Sequence, residues 1–231
     1  MGGGNEKDVY LQNKVEPKCT SMKKWILMLL AFVLYGVAQA QNAEVTLNNG
    51  KVVKGDIAKY SFNVDNYHEF RIKKTDGEKA DFASTDVKEI KYYDKKAGEW
   101  ENWIPMVAQM GMSMSYKENP KLYKNPVFLQ PVYEGENISA YIHYISTATH
   151  VKSGSTYGFA IIFYYKAKNE DFARSYYMME NGVNLGIGQK TMLKRYFKNF
   201  PQIKEVLKDL SMKEFRKDPA ILVKKLDEAL K

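Results

Sequence analysis

Cysteine is nearly missing from this chain: Cys19 is the single one among 231 residues. It lies upstream of a segment that reads as a cleavable leader. With that leader removed there is no disulfide, no thiolate nucleophile and no lipid-modified cysteine, so stability has to come from a packed core. Long apolar runs are also missing. The longest, Trp25 to Ala38, falls short of the roughly 20 residues a helix needs to cross a bilayer. Histidine is limited to His68, His143 and His150, and none of these has the i, i+4 or short-loop spacing that zinc sites favour. There is no G-x-S-x-G elbow, internal repeat or low-complexity tract.

What is present begins with an address. Lys23 and Lys24 precede the apolar run, which ends in Ala38-Gln39-Ala40, the order of a secretory signal peptide with its small-residue cleavage site. The expectation is a signal at 22–40, cleavage between Ala40 and Gln41, and a mature chain of 191 of the 231 residues. That length is enough for one large domain or two small ones. Residues 1–21 are polar, with Gly2, Gly3 and Gly4 in a row, and do not resemble the charged start of a leader; translation from Met22 is the reading they suggest. A cysteine-free exported chain fits a bacterial periplasm or extracellular space better than a disulfide-dense secreted scaffold. No transmembrane segment is expected after cleavage.

From Glu44 to Tyr93 short alternating runs are broken by Asn48-Asn49-Gly50 and Asp76-Gly77, which reads as a meander of about five strands with Gly55 permitting a bend. Leu47-Asn48-Asn49-Gly50, Lys54-Gly55-Asp56-Ile57, Lys74-Thr75-Asp76-Gly77 and Asp86-Val87-Lys88-Glu89-Ile90 resemble the small SH3-like or Sm-like barrels of uncharacterised exported proteins of Gram-negative bacteria. The resemblance implies a small barrel and no particular activity. Trp100 and Trp103, between Gly98 and Pro105, suggest a junction.

Beyond it, hairpins are expected at 126–145 and 156–179. From Gln189 the period changes to 3.6, with Pro219 opening a last helix. The fold class is therefore α+β. A β-barrel-like meander (41–98), a linker (99–125) and a body of antiparallel hairpins closed by C-terminal amphipathic helices (126–231) are expected in that order.

The remaining motifs are weak. Gly182 to Thr191 has the glycines of a phosphate loop, but Gln189 separates Gly188 from Lys190, which spoils the convergence of backbone cradle and ammonium. His143 and His150 could meet across a hairpin near Glu134 or Glu136, although chance spacing explains them as well. Met110, Met112 and Met114 alternate and, if on one strand face beside Met106, would suit Cu(I); gap filling is the plainer account. The pairs Tyr92-Tyr93, Tyr164-Tyr165 and Tyr176-Tyr177 are expected to put one ring inward and one toward solvent or a partner. No catalytic residue, cofactor or metal ligand is assigned.

Charge is the one asymmetry. Residues 41–186 hold 18 Lys and Arg against 18 Asp and Glu, whereas 187–231 hold 12 against 6. Lys190, Lys194, Arg195 and Lys198 lie at helical spacing, and Lys213, Arg216, Lys217, Lys224 and Lys225 extend the stretch. A wet helix surface is the plain reading; a face that docks on an anionic envelope surface is the sharper one. Nucleic acid is disfavoured as a partner, because 41–100 carries no basic excess and export removes the chain from most RNA. The functional expectation is an exported, non-catalytic binding or structural module of the envelope. The alternative is a hydrolase acting on envelope glycans or peptides through a pair of carboxylates. Oligomeric state has no signature in these residues.

Overall fold

A computed structural model describes residues 41–231 apart from 59–60, 63–68, 113–115, 152–153, 181–182 and 185–189, and only the backbone at 146–151, 154–159, 180 and 183–184. The expected leader with its cleavage site at Ala40, together with His68, Met114 and most of the glycine-rich loop before Lys190, lies outside the described residues or at their edge. The chain divides after Ala40, and 41–231 forms one unit.

Alternation and turn residues together produce the strands. β1 (Ala43–Leu47) and β2 (Val52–Asp56) are joined through Gly50, and β3 (Glu69–Lys74) and β4 (Lys79–Ala83) through Gly77. Both glycines sit at φ 84°, a left-handed conformation costly to any residue with a Cβ. A 3-10 turn (Ser84–Asp86) leads to β5 (Val87–Asp94). Then come β6 (Glu99–Met106), β7 (Val127–Tyr133), β8 (Ile138–Val151), β9 (Gly154–Ala167), β10 (Arg174–Glu180) and β11 (Val183–Asn184). They form one antiparallel sheet in the order β11-β10-β9-β8-β7-β6-β5-β1-β2-β3-β4. Four helices follow: α1 (Lys190–Tyr196), α2 (Ile203–Asp209), α3 (Met212–Lys217) and α4 (Ala220–Ala229). The fold class is α+β.

Two expectations are corrected. The meander does not close into a barrel, because β4 ends the sheet and β5 passes the pairing on to β6. Nor does a linker begin at 99. β6 pairs with β5 through Tyr93↔Trp100 and Ile90↔Trp103, and with β7 through Ile104↔Leu129. Gly98 and Pro105 mark the turn into β6 and its last pairs, not a domain junction. Trp103 is fully buried, 5.1 Å from the Phe62 ring and 5.8 Å from Tyr144. Among the described residues of the expected linker, those from 107 to 125 form isolated bridges but no named strand, and Ala108 is buried with Val127, Leu129 and Tyr164.

The sheet buries residues on both faces. One face carries Ile142, Phe163 and Tyr165, covered by Leu193, Phe197 and Leu222 from the helices, and Tyr144 joins this core to the one around Trp103. The other face carries Tyr141, Ile162 and Tyr164 beneath the 107–125 strap. Hence both rings of Tyr164-Tyr165 are buried, contrary to the one-in, one-out expectation. Tyr176-Tyr177 departs from it for another reason. A register shift between Ser175 and Tyr177 breaks the period of two and packs both rings into the helix-covered core. There the Tyr176 hydroxyl donates to the Pro219 carbonyl at 2.9 Å, and Tyr177 meets Phe215 at 4.9 Å.

The closing helix is tied to the sheet by a carboxylate. Asp227, buried in α4, accepts hydrogen bonds from the Tyr133 hydroxyl (2.9 Å) and from the backbone N–H groups of Glu136 (3.2 Å), Asn137 (2.7 Å) and Ile138 (3.2 Å). A Cβ on Gly135 would stand 2.3 Å from the Ile138 carbonyl oxygen and 2.6 Å from the Asp227 carboxyl carbon, so the latch requires glycine there.

Candidate functional site

The period of 3.6 decides which α1 residues reach solvent. Leu193 and Tyr196, with Phe197 just after, point into the core, where Phe197 stacks on Tyr165 at 4.4 Å and the Tyr165 hydroxyl donates to the Tyr196 carbonyl at 3.2 Å. Lys194, Arg195 and Lys198 are left exposed and Lys190 half-buried. Three of the four residues singled out from the sequence therefore lie on one anchored helix, and Lys198 lies in the turn that follows it.

Two depressions flank that helix. One, of about 650 Å³, lies between α1 and α2 and is lined by Lys190, Thr191, Lys194, Lys204, Glu205, Leu207 and Lys208. The other, of about 440 Å³, is lined by Tyr116, Thr191, Lys194, Arg195 and Lys198. Thr191 and Lys194 border both. Together they gather six cations and one carboxylate, and Glu205 is already paired with Lys208 at 2.7 Å. Lys190 donates to the Lys208 carbonyl at 3.2 Å, joining the C-terminal end of α2 to the start of α1. Lys198 stands 4.5 Å from the Tyr116 ring centre, while the Asn199 amide meets the Tyr116 hydroxyl. On Tyr116's other contact, Arg174 lies 4.8 Å from the ring centre and is held by Glu170 at 2.6 Å and the Lys117 carbonyl at 2.9 Å.

Sequence reasoning missed Lys204, Lys208 and Tyr116. The first two share a face at i, i+4, a readable signal passed over because they were counted as part of a diffuse basic tail. Tyr116 has no local signal, since it reaches the site from the segment expected to be a linker. Lys213, Arg216, Lys217, Lys224 and Lys225 belong to α3 and α4 and line neither depression.

Other candidates resolve differently. His143 and His150 lie on the same strand, β8, not across a hairpin. His143 is fully buried, with Nδ1 3.2 Å from the Phe128 carbonyl oxygen, and burial pushes its pKa down to about 4. Met110 and Met112 belong to no strand, and Met112 fills space between two core clusters. Among the described residues no group of three or more His, Cys, Asp or Glu is placed to hold a metal ion.

Among the described residues the two buried carboxylates, Asp94 and Asp227, both accept backbone hydrogen bonds. A further groove of about 540 Å³ beside β2 to β4 balances Arg71, Lys73 and Lys79 against Asp56, Glu69 and Asp81, with Arg71 and Asp81 joined by two bonds of 2.6 and 2.8 Å. Its charges cancel; those around α1 do not. Among the described residues no helix is long and apolar enough to cross a membrane.

Compared with protein-family models, curated proteins and solved structures, the chain has no match.

Proposed function

We propose that this chain is an exported, non-catalytic binding module of the cell envelope that docks on an anionic surface through the outer side of α1. The reading is carried by one observation: six cations and a single, already paired carboxylate line the two depressions around that helix. Export is supported by the leader pattern at 22–40.

Each Lys or Arg near a negative membrane surface contributes about 1 kcal/mol. Lys190, Lys194, Arg195 and Lys198 would thus supply about 4 kcal/mol, a dissociation constant near 1 mM before any other contact. Such docking is loose and screened by salt, because the Debye length shrinks from about 10 Å at 0.1 M to about 3 Å at 1 M.

Co-sedimentation with anionic vesicles across a salt series tests it. The protein sediments at low salt and is released as salt rises, and a variant with those four residues changed to Gln stays in the supernatant. No sedimentation at low salt, or an unchanged variant, refutes the proposal.

A further inference from the structure

The cleft between α1 and α2 differs in kind from the open side of α1. Its walls are two anchored helices. Leu193 and Tyr196 fix one, Ile203 and Val206 fix the other, and Leu207 lies at the base. The Lys190 ammonium donates to the Lys208 carbonyl, which ties wall to wall and sets the width. Lys208 is occupied by Glu205. Lys194 and Lys204, one from each wall, are exposed and make no ion pair among the described residues.

Two uncompensated ammonium groups facing one concavity call for a ligand with about two negative charges. The open volume of about 650 Å³ is room for a small molecule to rest against both walls. The residue types narrow the chemistry further. The cations lining the cleft are lysines, which bind phosphate as point charges, and a compact dianion places both of its charges within reach of two such groups. Arg195 lines the depression on the other side of α1. Thr191, at the rim, adds a hydroxyl.

We propose that this cleft is a binding site for a terminal phosphate monoester, which carries about −1.5 to −2 charge at neutral pH, with Lys194 and Lys204 as its principal contacts and Thr191 as a hydrogen-bonding partner. The proposal deepens the anionic-surface reading and rests on it for biological context. The same chemistry is offered by a lipid headgroup ending in phosphate and by a soluble sugar phosphate, so the experiment carries an arm for each.

In the soluble arm, calorimetry at low salt compares glucose 1-phosphate with glucuronate, which carries a single carboxylate. In the membrane arm, sedimentation compares vesicles containing phosphatidic acid with vesicles containing phosphatidylglycerol, matched for total charge. The expected result is binding of glucose 1-phosphate over glucuronate, preference for phosphatidic acid, and a loss of at least about fivefold for Lys204→Gln in the phosphate-specific component. Lys204 lines this cleft and not the second depression, so Lys204→Gln isolates the cleft, while an Arg195→Gln and Lys198→Gln double variant keeps the monoester preference. A phosphatidic acid preference without glucose 1-phosphate binding assigns the site to lipid, and the reverse assigns it to a soluble ligand; either supports the cleft.

Equal binding of the two soluble probes together with equal binding of the two vesicle types overturns it, as does an unchanged Lys204→Gln variant. Vesicle binding that follows total charge alone, with no preference for glucose 1-phosphate over glucuronate, removes the cleft and leaves the surface reading standing. Glucose 1-phosphate binding without vesicle binding does the opposite.

Discussion

Changing Asp227 to Asn keeps the shape of the latch between α4 and the β7–β8 turn and removes half its accepting capacity. Oδ1 accepts from Asn137 and Ile138, and Oδ2 from Tyr133 and Glu136. Turned one way, the NH₂ group faces the N–H groups of Asn137 and Ile138. Turned the other, it faces the N–H of Glu136 while the Tyr133 hydroxyl rotates to accept from it, and every remaining bond loses its charged acceptor. Hydrogen bonds to a charged acceptor contribute about 1.5 to 3 kcal/mol each, and buried donors left unsatisfied carry a similar penalty. A loss of about 4 kcal/mol follows, which for a chain of this size lowers Tm by about 8 to 16 °C.

The pH dependence adds a signature. Burial works against the ionised carboxyl, but the bonds from Asn137, Tyr133, Ile138 and Glu136 outweigh it and hold the Asp227 pKa below the ordinary aspartate value. A carboxylate with a depressed native pKa contributes stability above its unfolded pKa, about 3.9, and loses it as pH falls through the lower native value. Urea unfolding followed by tryptophan fluorescence between pH 2 and 7 measures both effects. Asp227→Asn should be less stable at neutral pH and should lose the part of the wild-type slope below about pH 4. Gly135→Ala, which pushes a methyl group into the same carboxylate, should combine with it less than additively. A neutral-pH loss under about 1 kcal/mol, or an unchanged acid slope, would show that the four bonds do not hold the helix.

Two further outcomes are expected. His143 takes up its proton near pH 4 when folded and near 6.5 when unfolded, so stability should fall by about 3 kcal/mol as pH drops from 6.5 to 4; His143→Gln should flatten that window, and an unaltered slope in urea midpoints would refute the assignment. Trp103→Ala should cost about 3 to 5 kcal/mol while calorimetry still shows one transition, since its ring contacts both Phe62 and Tyr144; two separated transitions would contradict the continuous sheet.

Local signals in the sequence are faithful where the physics is local. Gly50 and Gly77 mark turns because their backbone must be left-handed, and Leu193, Tyr196 and Phe197 mark the buried side of α1 because a helix repeats every 3.6 residues. Failures arise where the partner is distant in sequence. Asp227 sits between Leu226 and Glu228 in an amphipathic helix and looks solvated until the turn some ninety residues earlier is folded beneath it. Gly98 and Pro105 look like domain punctuation, yet they bound a strand, β6, whose partners lie on either side of it in the sheet. Tyr177 turns inward through a register shift with no residue signature of its own. In the site, the α1 cations were legible from spacing, whereas the pairing of α1 with α2 depends on Lys190 reaching the Lys208 carbonyl, a tertiary contact.

The continuity of the sheet through β6 bears on modularity. Phe128 of β7 completes the core around Trp103, with its ring 5.9 Å from Phe62 and 5.5 Å from Phe70. The front meander therefore borrows its last wall from the strand that also begins the back half. Cut out after residue 98, it would leave that wall behind and expose β5 as a raw edge ready to pair with other chains. It is not a transplantable part: insertion or recombination at Gly98 severs a shared core, and the unit that stands by itself is the whole sheet with its helices.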